Sequence, residues 1–124
     1  MTLRITKRFE FSASHQLSGL AEGHQCSRLH GHNYVVELEL SAKKADLTPT
    51  GFVRDYGDLA AFKQWVDKTV DHRHLNDIVK GNPTAEQLAM WLYDQWSGDL
   101  PELTAVSVSE TPKTWAEYRP APAS

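Results

Sequence analysis

Apolar and polar residues alternate along residues 3–15 and again along residues 30–41, which is the pattern of half-buried β-strands. The apolar side of the first strand ends at His15. The same side of the second strand begins with His30 and His32 and continues with apolar residues: Tyr34, Val36, Leu38 and Leu40. Both strands are therefore predicted to bring histidines to the face that they turn toward the core.

Two shorter alternating stretches, residues 104–111 and 115–119, follow near the end of the chain. We expect them to form a hairpin, since Pro112 and Lys113 stand between them. Glu110 shares a side with valines in the first of these stretches, and a carboxylate on an apolar side is unusual. It is either paired within the sheet or a recognition group for a ligand with adjacent N–H donors.

Between these two pairs of strands the apolar residues recur with a helical period. The first helix is predicted from Asp58 to about Asp71, and the second begins at Thr84, where Thr-Ala-Glu-Gln has the form of a capping box. The order ββααββ favours an α+β domain with two helices packed on one face of a four-stranded antiparallel sheet. Such a sheet has open edges, so we expect the chain to form a homo-oligomer.

A length of 124 residues and a mass of 14.0 kDa suit one domain, which we place at residues 1–119. Residues 120–124 form a Pro/Ala-rich tail that we expect to be disordered. A net charge of -3 gives no general attraction to nucleic acid or to anionic membranes, and no apolar run is long enough to span a membrane. A single cysteine cannot form an intrachain disulfide, which favours the reducing cytoplasm.

The grouping of His15, His30 and His32 on one predicted face indicates a metal site. Catalytic zinc sites commonly have three protein ligands and a fourth position open to water or substrate. The alternative is that these histidines lie in the core and are hydrogen-bonded to neighbouring residues. That is the better interpretation of a lone histidine, but not of three together. We prefer zinc to copper or iron because nothing in the sequence indicates a redox role. His24 lies on a glycine-flanked loop outside both strands, and we interpret it as a polar loop residue.

Cys26 precedes the second strand and has several possible roles. As a fourth ligand it would close the metal site and make it structural, and as a small apolar side chain it would simply be buried. We favour a catalytic base or nucleophile, because Cys26 lies outside the register of the histidines. Asp71 and His72 form a pair in which the carboxylate can set the tautomer of the imidazole. Alone, this pair is better interpreted as a polar helix end.

Five short motifs follow one another along residues 9–119. They are FSASH at 11–15, CSRLHGHNY at 26–34, DHRHLN at 71–76, NPTAE at 82–86 and VSET at 108–111. This series resembles the 6-pyruvoyl tetrahydropterin synthase family. The short spacing between Cys26 and His30 is most similar to that of its bacterial branch, the 6-carboxy-5,6,7,8-tetrahydropterin synthases of queuosine biosynthesis. The resemblance implies the tunnelling fold (T-fold).

The resemblance also implies roles for individual residues. His15, His30 and His32 would be zinc ligands. Cys26 would abstract a proton from the substrate side chain, and Asp71 and His72 would complete the proton relay. Glu110, which we also count among the catalytic residues, would anchor the pterin ring, with Thr84 near the same pocket. The implied assembly is a trimer that pairs into a hexamer, with active sites between subunits.

The implied reaction converts 7,8-dihydroneopterin triphosphate to 6-carboxy-tetrahydropterin with loss of acetaldehyde and triphosphate. We expect Arg28 to help hold the triphosphate. The alternatives are a pyruvoyl product, a non-catalytic pterin- or purine-binding module, and a structural zinc protein. The segment 112–119 departs from the bacterial pattern, so an enzyme of a deazapurine pathway other than queuosine is a further alternative. The resemblance assigns no role to His74.

Overall fold

The computed structural model describes residues 2–120 and consists of one five-stranded sheet with two helices. Its elements are β1 (Thr2–His15), β2 (His30–Lys43), α1 (Ala60–Thr69), β3 (Arg73–His74), α2 (Ala85–Trp96), β4 (Leu103–Thr111) and β5 (Thr114–Tyr118). Short 3-10 turns lie at Gln25–Ser27 before β2, at Lys44–Asp46 after β2, at Tyr56–Leu59 before α1 and at Leu75–Asp77 after β3. Of the predicted disordered tail, residues 121–124 lie outside the described residues.

The strand order across the sheet is β3-β1-β2-β4-β5, and every pair except β3 with β1 is antiparallel. This confirms the α+β class and the four predicted strands. The fifth strand, β3, was not predicted, because two residues are too short to display a period. It pairs with Ala13 and Ser14 at the end of β1, in the segment that the sequence indicated only as a helix end.

The first helix is shorter than predicted, since its first turn is a 3-10 turn at Tyr56–Leu59 and α1 ends at Thr69. The second helix begins as predicted, and the Thr84 hydroxyl accepts a hydrogen bond from the backbone N–H of Gln87. Both helices contribute side chains to one hydrophobic core with the sheet. Phe9 of β1 and Phe62 of α1 illustrate the contact, with ring centroids 4.9 Å apart.

The opposite face of the sheet carries a buried carboxylate at Glu39, which is 8% exposed. Arg119 binds both of its oxygens, Thr104 donates its hydroxyl over 2.8 Å, and Arg4 donates over 3.2 Å. The hydrogen bonds from Arg119 are the main cause that holds the pKa of Glu39 below its ordinary value of 4.5. This network joins the start of β1 to the end of the described chain.

Replacement of Glu39 by glutamine should lower the free energy of unfolding by about 1–3 kcal/mol at neutral pH, since a charged acceptor of several hydrogen bonds is lost. A carboxyl with a depressed folded-state pKa stabilises fully above its unfolded value of 4.5. That contribution disappears as the pH falls through the folded-state pKa. Urea unfolding at pH 7 and at successively lower pH should therefore show the two proteins converging in acid. Glu37→Gln, in an exposed ion pair with Arg8, is the matched control and should change stability by less than about 1 kcal/mol.

Candidate metal and catalytic site

The antiparallel register of β1 and β2 brings the three histidines together. His15 is directly opposite His30, and His32 is opposite Ala13, two pairs further into the sheet. One ligand nitrogen from each histidine lies within 4.8 Å of the other two. The three rings therefore form a cluster that can hold a metal ion, with His15 fully buried at 1% exposure.

Backbone carbonyls fix the orientation of two of the rings. The Nδ1 atom of His15 lies 2.8 Å from the Pro83 carbonyl, and that of His30 lies 2.6 Å from the Arg28 carbonyl. A carbonyl oxygen only accepts, so both Nδ1 atoms carry the proton and donate it. Each Nε2 atom is then left with a lone pair, and these two nitrogens face each other at 2.9 Å. Two lone pairs at this distance repel unless a cation lies between the rings and the rings adjust to it.

The third ring, His32, presents its Nε2 atom to the same place. This nitrogen is buried and makes no hydrogen bond to any of residues 2–120. Glu110 Oε2 lies 3.2 Å away, but the angle between the two groups is unfavourable. Burial lowers the pKa of His32, the nearby His15 and His30 lower it further, and Glu110 opposes the shift. The neutral ring is thus favoured, and a neutral imidazole is the form that binds a metal ion.

Cys26 lies on the 3-10 turn Gln25–Ser27, where it is partly exposed. The His24 ring caps this turn, and its Nδ1 atom accepts the Cys26 backbone N–H over 3.0 Å. The Cys26 carbonyl in turn accepts from the backbone N–H of Leu17 over 3.1 Å. Within residues 2–120, the thiol is not part of the cluster of ligand atoms that the three histidines form. This arrangement favours a separate role for Cys26 over that of a fourth ligand.

Asp71 and His72 are fixed to the edge of β1 at a single residue, Ser12. The Asp71 carboxylate accepts the Ser12 backbone N–H over 2.9 Å, and the Ser12 carbonyl accepts the His72 backbone N–H over 2.6 Å. The Ser12 N–H is the main cause that lowers the pKa of Asp71. The second Asp71 oxygen lies 3.0 Å from His72 Nδ1, so the predicted pairing of carboxylate and imidazole is present.

His72 has a positive φ of 58°, an uncommon backbone conformation for a residue with a side chain. Its side chain is 82% exposed, and no hydrogen bond joins it to Cys26 in the described chain. His72, His32 and His74 line the same cavity of about 620 Å³. His74 itself is held by Ser14, whose hydroxyl lies 2.9 Å from its Nδ1 atom.

Glu110 lies between the histidine cluster and the start of α2. One carboxylate oxygen accepts the backbone N–H of Ala85 over 3.2 Å, which is a favourable position for a negative charge at a helix N-terminus. The carboxylate also lines a separate cavity of about 400 Å³ with Trp115. Thr84 is the adjacent helix cap, so both predicted pterin-binding residues are close together. Arg28 is different, because its carbonyl orients His30 while its side chain is exposed.

The profile of the 6-pyruvoyl tetrahydropterin synthase family matches residues 4–121. The chain belongs to this family. A 6-carboxy-5,6,7,8-tetrahydropterin synthase of Rickettsia bellii is 34% identical over 93% of this chain and 99% of its own length. The dihydroneopterin monophosphate aldolase of Pyrococcus furiosus is 32% identical over 82% of this chain and 81% of its own. The 6-pyruvoyl tetrahydropterin synthase structure of Caenorhabditis elegans superimposes with a TM-score of 0.82 at 27% identity, covering 98% of this chain and 97% of that one.

These similarities confirm the resemblance seen in the motifs, the tunnelling fold and the prediction that the protein is an enzyme. The boundary of the domain at residue 119 stays a prediction. Among the described residues, neither helix of this family member has the length and apolar character that a membrane crossing requires.

The sequence did not predict two backbone groups that contribute to the histidine cluster. They are the carbonyls of Pro83 and Arg28, which orient the rings of His15 and His30. Every residue has a carbonyl, so no residue type could have indicated them. The His24 cap was missed as well, although a polar side chain two residues before Cys26 is compatible with a turn cap.

Proposed function

We propose that this enzyme is a zinc-dependent 6-carboxy-5,6,7,8-tetrahydropterin synthase. It would convert 7,8-dihydroneopterin triphosphate to 6-carboxy-tetrahydropterin and release acetaldehyde and triphosphate. The observation that carries the proposal is the convergence of one ligand nitrogen from each of three histidines at the end of the loop that holds the lone thiol. The Rickettsia bellii relative, which has this name and is matched along nearly its whole length, supports the choice of reaction.

The donor set fits zinc. Neutral imidazoles bind zinc well, and three of them leave a coordination position for substrate. A bound zinc ion would polarise the side-chain oxygens of the substrate and acidify the adjacent C–H bond. The Pro83 and Arg28 carbonyls would keep the Nε2 atoms of His15 and His30 turned toward the ion.

Cys26 is the residue that we assign as the base. The thiolate is the reactive form of cysteine, and Cys26 is partly exposed on a turn that hydrogen bonds from Leu17 and to His24 hold in place. It would accept the proton from the substrate side chain at Sγ. A general base of this kind contributes about 10²–10⁴-fold to the rate.

Asp71 and His72 would return or relay the proton. Asp71 orients the imidazole through Nδ1, which leaves Nε2 to face the substrate. His72 is exposed and is not hydrogen-bonded to Cys26 within the described chain. We therefore propose that, in each active site, Cys26 comes from one subunit and the Asp71–His72 pair from another.

The sheet edges support such an assembly. In residues 2–120, β3 covers β1 only at Ala13 and Ser14, so the rest of that edge has no strand partner, and β5 is the other edge of the sheet. Strands that pair edge to edge between subunits would remove these open edges. A trimer formed in this way, paired into a hexamer, is the assembly that we propose.

Substrate recognition falls to three further residues. The Glu110 carboxylate would accept two N–H groups of the pterin ring, a charge-assisted and bidentate contact, with Thr84 beside it. Arg28 would contact the triphosphate from the exposed loop. Because the base must stay a free thiol, we place the enzyme in the cytoplasm.

The function is tested by incubating the purified protein with 7,8-dihydroneopterin triphosphate and identifying the product by mass. A 6-carboxy product with one acetaldehyde per turnover is the expected result. A pyruvoyl product would move the protein to the sister activity that the Caenorhabditis elegans structure is named for. Preference for the monophosphate over the triphosphate would favour an aldolase such as the Pyrococcus furiosus relative. Binding of the pterin without turnover would leave a non-catalytic module.

A further inference from the structure

Two asparagine side chains hold the segment that follows β1. The backbone N–H of Gln16 donates to Asn76 Oδ1 over 2.8 Å, and Asn76 Nδ2 donates to the Gln16 carbonyl over 2.7 Å. Asn82 does the same to Ser18, with distances of 2.8 Å and 2.7 Å. Each amide thus reproduces the donor and acceptor pair that a neighbouring strand would supply, at alternate residues as in a β-ladder.

The other side of this segment holds the turn that contains the thiol. Between the two clamped residues, the backbone N–H of Leu17 donates to the Cys26 carbonyl over 3.1 Å. The Gln16 side chain donates to the Ser27 carbonyl over 3.0 Å. The segment is therefore held by asparagines on one side and itself holds Cys26 on the other.

The same asparagines are connected to the metal ligands. His15 directly precedes the clamped segment, and Pro83, which directly follows Asn82, accepts the proton of His15 Nδ1 through its carbonyl over 2.8 Å. One short stretch, Asn82 with Pro83, therefore fixes both the ring of a metal ligand and the base of the Cys26 loop. Displacement of either the His15 ring or the Cys26 loop would change the distance between the thiol and the metal.

We propose that Asn76 and Asn82 are positioning residues that hold Cys26 at a set distance from the three histidines. Their effect on catalysis rests on the function proposed above, whereas their effect on the loop does not. Asparagine is suited to this task because its amide both donates and accepts. An aspartate keeps the acceptor but turns a second oxygen toward the backbone carbonyl, which repels it.

The test compares Asn76→Asp and Asn82→Asp with wild type by amide hydrogen exchange, and uses Asn76→Ala and Asn82→Ala should either aspartate variant fold poorly. We expect the amides of residues 16–18 to exchange at least about 10-fold faster, while α1 and β4 keep their protection. Asp55→Ala is the matched control. It also removes a side-chain hydrogen bond to a backbone N–H, that of Gly57, but in the loop before α1. It should leave residues 16–18 unchanged.

The kinetic readout separates positioning from stability. For the asparagine variants we expect kcat to fall about 10–100-fold, with KM within about 3-fold and metal content unchanged, as is typical when a group that orients the reacting residues is lost. Unchanged exchange at residues 16–18, or an increase spread over the whole domain, would overturn the proposal. So would unchanged kcat in a variant whose loop exchanges faster. If wild type does not turn over the pterin, the proposed function fails, and the exchange data still decide whether the asparagines hold the loop.

Discussion

Replacement of Cys26 by alanine should abolish measurable product while the metal stays bound. The loss expected for a general base is about 10²–10⁴-fold in kcat. The metal should stay because the ligand atoms that lie within 4.8 Å of one another are those of the three histidines, without the thiol. Turnover is measured by mass detection of the pterin product, and metal by elemental analysis of the same protein sample.

The matched control is Gln25→Ala, which changes an exposed side chain on the same turn and should keep wild-type turnover. Loss of metal from Cys26→Ala would contradict the assignment of a base and would indicate a four-ligand structural site. Full turnover with metal retained would show that the proton acceptor is another group. Because Cys26 is the only cysteine, no second thiol can take over its role.

The faces of the strands could be predicted from the sequence because the period of a strand is two residues. His15, His30 and His32 follow the apolar positions of β1 and β2, so the alternation alone placed them on one face. When these two strands pair antiparallel, the end of β1 lies beside the start of β2, and this brings the three rings together. For this reason the metal cluster was the most predictable part of the site.

Contacts between distant parts of the chain could not be predicted in the same way. Asp71 reaches Ser12 and Asn82 reaches Ser18 across separations of 59 and 64 residues, and both partners are backbone groups that every residue has. Strand β3 forms because these contacts bring residues 73–74 beside β1, not because of their own pattern. A motif can mark such residues as a group, but it does not say which atom each one binds.

Removal of the metal should destabilise the protein. The Nε2 atoms of His15 and His30 face each other at 2.9 Å, and both Nδ1 atoms already donate to carbonyls. Without a cation, the lone pairs of these two nitrogens repel each other, and the rings must move apart although His15 is buried at 1% exposure. Ligand linkage at a free metal concentration 1,000-fold above Kd amounts to about 4 kcal/mol, so chelation should lower Tm by about 15 °C.

His30→Ala tests the cause of this shift. We expect wild type to carry one metal ion per chain and the variant to bind it more than about 100-fold more weakly, a greater loss than that of a group that only orients a ligand. His74→Ala is the matched control, because it removes a histidine from the same end of the sheet outside the cluster and should keep the full metal content. The Tm of His30→Ala should no longer respond to chelator. A variant that retains a full equivalent of metal and the wild-type chelator response would show that the ion is held elsewhere, since removing one of three converging nitrogens must weaken a site at their centre.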